Sequence, residues 1–152
     1  MASLERGIVL SSKDSLIFFP NNTPTQFTCV LSSPIHLEGR WSIGLKDVRV
    51  GVKAIRTHLS LINCLFDVHL SQVSGTICDG EESTLLRRVY SQGTHRDDAV
   101  RQSYDNCQMI PVRVQTLDRL DVVIKPVMME GHSFDPEVVT HATLILRKEK
   151  DF

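Results

Sequence analysis

Apolar and polar residues alternate with a period of two along most of the chain, the pattern of strands buried on one face. Residues 61–70, LINCLFDVHL, put Ile62, Cys64, Phe66, Val68 and Leu70 on one face and Asn63, Asp67 and His69 on the other. Residues 41–52, WSIGLKDVRVGV, alternate too, but the phase slips. Trp41, Ile43 and Leu45 are odd-numbered, whereas Val48, Val50 and Val52 are even. One extra residue near Lys46–Asp47 restores a single apolar face, so the pattern predicts a β-bulge or a strand bending between sheets. Further strands are predicted at Gly7–Leu10, Leu16–Phe19, Thr25–Leu31, Thr84–Tyr90, Cys107–Gln115, Arg119–Lys125 and Val138–Arg147. Proline and glycine punctuate the gaps, as at Pro34, Gly39, Gly75, Gly80, Gly131 and Pro136. Short strands separated by turn signals predict an all-β sandwich or barrel. Residues 53–58 fit one helical turn, and the polar run 91–106 reads as a long surface loop.

The stretch FFPNNTPTQFTCVL, residues 18–31, ends one predicted strand and starts another. Pro20 and Pro24 fix local backbone angles and remove two hydrogen-bond donors. Asn21 and Asn22 are turn formers, and Thr23, before a proline, is biased to an extended conformation. The segment is therefore predicted to be a corner tied by hydrogen bonds from the Asn22 side chain to backbone. Asn21-Asn22-Thr23 is also a glycosylation sequon, which requires a secretory context. The apolar run Gly7–Leu10 is shorter than a signal-peptide core. No window reaches the roughly 20 apolar residues of a membrane span. The expectation is a soluble intracellular chain, not secreted, with reduced cysteines.

Bulk composition fits one domain over residues 1–152: 41% of residues are apolar and 23% charged. A net charge of −1 offers no basic excess for nucleic acid. His95, Asp97, Asp98 and Asp105 form an acidic surface run rather than a metal-ligand spacing, and no HxH or HExxH pattern exists. Cys29 and Cys64 fall on apolar strand faces, Cys78 and Cys107 flank loops, and no CxxC or GxSxG is present. No catalytic, cofactor or metal residue is assigned, and the expectation is a non-enzyme. Trp41, the only tryptophan, is placed in the core rather than on a ligand. Arg87 and Arg88 point to opposite faces of a strand. One of them must meet a carboxylate, reach an interface or snorkel to water.

The order of these features carries a resemblance. SKDSLIFFPNNTPTQFTCVLSSPIHLEGRWSIGLKDVRV resembles the opening of the small capsid proteins of Maverick/Polinton-type elements and their adintovirus relatives. The matching positions are Ser15, Pro20, Asn22, Thr23, Phe27, Leu31, Pro34, Leu37, Gly39, Trp41, Gly44 and Leu45. Gly75, Leu85, Leu86, Arg87 and Val89 continue the match, and MIPVRVQTLDRLDVVIKP with THATLILRKE resembles the closing strands. The resemblance implies a single jelly roll of about eight antiparallel strands, acting as the penton at icosahedral vertices or as a minor capsid subunit. It implies a homopentamer, a larger double jelly-roll major capsid protein as partner, and a virion assembled inside the cell, in the nucleus. Pro20, Asn22, Thr23, Trp41, Gly44 and Leu45 are the expected structural fingerprint. Arg87, Arg88 and Arg96 are the expected interface residues, with the 91–106 loop on the outer or neighbour-facing surface. The rival reading is a β-sandwich that binds a glycan or peptide, with Trp41, Tyr90 and Tyr104 stacking on the ligand.

Overall fold

The computed structural model describes residues 4–54, 61–78, 80–94 and 98–150. Every regular element among them is a strand: β1 (Glu5–Ser11), β2 (Gln26–His36), β3 (Trp41–Ala54), β4 (Leu61–Leu70), β5 (Thr76–Cys78), β6 (Glu81–Ser83), β7 (Leu85–Thr94), β8 (Ala99–Ser103), β9 (Ile110–Pro111), β10 (Thr116–Glu130), β11 (His132–Phe134) and β12 (His141–Lys148). One sheet runs β1-β12-β3, with β8 and β9 on the side of β3 away from β12 and β11 pairing the end of β3. The second sheet runs β2-β10-β4-β7, and β5 and β6 form a separate hairpin. From β1 to β4 and from β7 to β12 successive long strands alternate between the sheets, while β4 and β7 pair within one, so β1-β12-β3-β8 faces β2-β10-β4-β7. This is the wound strand order of an antiparallel jelly roll.

The core lies between the two inner faces. Ile43, Leu45, Val48, Val50, Leu144 and Leu146 come from the first sheet, and Phe27, Cys64, Phe66, Val68, Leu120 and Val122 from the second. The phase slip in β3 is a bulge. Thr143 pairs with Asp47 and Leu144 with Leu45, which leaves Lys46 without a partner on β12. Leu45 and Val48 both face inward as a result. A second bulge sits in β7, where Arg87 pairs with Val68 and Leu85 with His69, so the buried Leu86 is the extra residue.

Four expectations are corrected. Leu16–Phe19 is not a strand but part of a turn, in which the N–H groups of Phe18 and Phe19 both donate to the Ser15 carbonyl (3.1 and 2.8 Å). A four-residue apolar run has no period, so its pattern carries no information about what it faces. Within Cys107–Gln115 only Ile110 and Pro111 pair as a strand, against Ser42 and Ile43. Pro111 lacks a donor to extend the ladder. The run 91–106 is not one loop, because β7 continues to Thr94 and β8 pairs with residues 47–51 of β3. β8 looks polar because Val100 alone reaches the core while Arg101 faces solvent. The helical turn expected at 53–58 is also replaced in part, since Lys53 and Ala54 end β3; residues 55–60 lie outside those described.

Candidate functional site: the corner before β2

Residues 12–25 carry the chain from β1 in one sheet to β2 in the other. Ser12 fastens the start, its N–H donating to the Thr140 carbonyl (3.0 Å) while its Oγ accepts from Thr140 N–H (3.0 Å). Asn22 fastens the end. Its Nδ2 donates to the Thr28 carbonyl (2.9 Å) and its Oδ1 accepts from Thr28 N–H (3.0 Å). These are the side-chain-to-backbone bonds expected of Asn22. Ser15 Oγ accepts from Val30 N–H (2.9 Å), and Thr23 exchanges backbone bonds with Gln26 across a tight turn through Pro24 and Thr25.

A corner anchored at both ends holds out what lies between. Leu16, Ile17 and Phe18 are 42, 92 and 70% exposed. Three consecutive large apolar residues facing water cost solubility with no folding benefit unless something binds there. Beside them Phe18, Phe19, Pro20, Asn22, Phe27 and Thr28 wall a shallow depression of about 460 Å³. The sequence reading missed this surface because it placed the run in a strand.

Leu45, Trp41 and Gly44, three more of the residues expected as a fingerprint, sit in packed surroundings. Leu45 is fully buried, and Trp41 lies half-buried against the core with its Nε1 donating to the Glu38 carbonyl (2.9 Å). Gly44 lies on the outer side of β3, where residues 107–109 cross directly over it. A Cβ there would come within 2.7 Å of Met109 Sδ, 2.9 Å of the Gln108 carbonyl oxygen and 3.0 Å of Cys107 Cβ.

The paired arginines have separate roles. Arg88 forms a two-pronged ion pair with the nearly buried Asp67, Nε to Oδ1 at 2.7 Å and NH2 to Oδ2 at 3.0 Å. Arg87 lies over the Tyr104 ring, 3.5 Å from its centroid. Arg96 lies outside the described residues, as do His95 and Asp97. A carboxylate the sequence reading did not single out joins two strands. Asp121 accepts from Thr28 Oγ1 (2.6 Å) and Gln72 Nε2 (2.9 Å), and Arg119 stands 3.5 Å away. Its alternating position in β10 looks like any solvated outer residue.

Burial raises the thiols of Cys29 and Cys64 to about 11, away from the reactive thiolate. His69 is held below its ordinary value of 6.5, first by burial and then by Lys125, with Asp67 opposing. No group of three or more His, Cys, Asp or Glu gathers as a metal site among the described residues. No helix among them is long and apolar enough to cross a membrane.

No protein-family model matches the chain, and no curated protein matches it in sequence. Solved structures do. The mavirus penton protein superposes with a TM-score of 0.61 over 95% of this chain and 99% of its own, at 5% sequence identity. Infectious bursal disease virus, Gx strain, covers 95% of this chain and 32% of its own at 11% identity, but with a TM-score of 0.27 that carries no weight. At 5% identity the likeness speaks to architecture: the chain has the jelly-roll fold of a viral penton protein along nearly its whole length.

Proposed function

We propose that this chain is a virion structural subunit, the penton capsomer at icosahedral vertices or a minor capsid subunit beside it, and that it works by association rather than catalysis. The observation that carries the reading is the end-to-end match with a penton protein, 95% of one chain against 99% of the other. In this reading five copies close a ring through heterologous contacts, in which one surface of a subunit meets a different surface of the next. A double jelly-roll major capsid protein surrounds the ring. The virion is the site of action, and the nucleus the site of assembly.

The exposed run Leu16–Ile17–Phe18 is the favoured contact, in place of the 91–106 segment. Of the stacking residues of the ligand-binding alternative, Tyr90 is half-exposed on β7 and the other two are occupied. Trp41 packs against the core and Tyr104 is covered by Arg87. The test is the triple variant Leu16→Ser, Ile17→Ser and Phe18→Ser, measured by native mass spectrometry and thermal melting. The reading predicts an unchanged melting temperature and loss of the oligomer or of capture by the major capsid protein. Wild-type assembly by the triple variant would remove the corner from the contact surface.

A further inference from the structure

The open edge of a sheet is a row of unpaired N–H and C=O groups, ready to accept a strand from another molecule. β2 is such an edge, since among the described residues β10 is its one sheet neighbour. In an antiparallel pair, every second residue turns its backbone groups away from the partner. On β2 those residues are Gln26, Thr28 and Val30, and the corner meets each in turn. Thr23 backbone bonds Gln26, the Asn22 amide bonds both groups of Thr28, and Ser15 Oγ takes the N–H of Val30. A side-chain amide carries two N–H donors and a C=O, and one N–H lies beside the C=O on the same edge, so Asn22 can present the N–H and C=O that one residue of a neighbouring strand would present. Farther along, Pro34 has no N–H to leave open.

Charge does not protect this edge. β1 carries Glu5 and Arg6, β7 carries Arg87 and Arg88, and β8 carries Arg101. β2 carries no Lys, Arg, Asp or Glu, and none occurs anywhere from Ser15 to Leu37. Phe27, Thr28 and Val30 are strong strand formers, and Cys29 and Leu31 between and after them are apolar. A neutral strand of this composition meets no repulsion from an identical copy of itself.

We propose that the corner is a built-in edge cap. Ser15, Asn22 and Thr23 occupy, residue for residue, the positions that β2 of a second copy of this chain would take, and so exclude β2-to-β2 pairing. The excluded contact is antiparallel and two-fold, and it would compete with any ring built from heterologous contacts. The cap leaves side-chain surfaces to govern association.

The test is the double variant Ser15→Ala and Asn22→Ala, followed by amide hydrogen exchange and analytical ultracentrifugation. Exchange at Thr28 and Val30 should rise roughly tenfold or more, while Leu120 and Val122, which face the other side of β2, stay protected. The variant should also form pairs of the wild-type particle at concentrations where the wild type does not. Adding Val30→Lys, a charge on the opened edge, should abolish the pairing. Unchanged exchange at Thr28 and Val30 would overturn the proposal, as would an opened edge with no change in particle size. If Leu120 and Val122 also lose protection the double variant has unfolded, and Ser15→Ala alone carries the same test at Val30.

Discussion

A single methyl group at Gly44 tests why a glycine stands where residues 107–109 cross β3. Of the three atoms it would strike, Met109 Sδ is the end of a flexible side chain and can swing away. The Gln108 carbonyl at 2.9 Å and Cys107 Cβ at 3.0 Å are fixed to backbone. That backbone is pinned on either side, by Tyr104 N–H to the Lys46 carbonyl (2.9 Å) and Val112 N–H to the Trp41 carbonyl (2.9 Å). The crossing segment must therefore lift between two anchors. Inserting a methylene into a filled site costs about 1–3 kcal/mol, and two rigid contacts out of three place Gly44→Ala in the upper part of that range. In a chain of this size each kcal/mol lowers the melting temperature by about 2–4 °C, so a fall of roughly 4–12 °C is expected by calorimetry. Gly7→Ala is the control, because a Cβ at Gly7 meets nothing within 4 Å. It should leave the melting temperature level or slightly raised. A Gly44→Ala protein melting within about one degree of its parent would refute the reasoning.

Other outcomes follow from the same geometry. Arg88→Ala strips the partner from Asp67, whose side chain is 9% exposed, and should cost about 1–3 kcal/mol in urea unfolding. Arg147→Ala, which breaks a pair exposed at both ends (40 and 46%), should cost less than about 1 kcal/mol; equal losses would contradict the burial argument. His69 titrates below 6.5 when folded, so the unfolded chain binds the extra proton first as pH falls. Stability should therefore decline on acidification below 6.5, and His69→Gln should flatten that slope; an unaltered slope would assign it to other groups. At pH 8 a thiol reagent should leave Cys29 and Cys64 unmodified until the chain unfolds, whereas the half-buried Cys107 reacts earlier. Labelling of Cys64 in the native protein would mean that the sandwich opens at low cost.

The fold was legible wherever burial imposed a period. The slip between Leu45 and Val48 announced the bulge at Lys46, because two inward residues an odd number apart require one residue out of register. β4 and β10 declared themselves in the same way. The signal failed where a strand contributes one side chain to the core, as β8 does through Val100, or where an apolar run packs on nothing, as at Ile17. Asn22 was found at the corner because prolines and a turn former converge there. The atoms it would bind were beyond reach, since Thr28 is six residues away and its outward face depends on β2 pairing with β10. The roles of Asp121 and of the crossing over Gly44 arise from contacts far apart in sequence, and no local pattern marks either.

The central claim is that this jelly roll works by closing a ring of like subunits. Native mass spectrometry of the purified chain, alone and with the major capsid protein proposed as its partner, tests that most directly. A species of five chains, retained or promoted by the capsid partner, is the predicted result. A strictly monomeric chain under both conditions would contradict it.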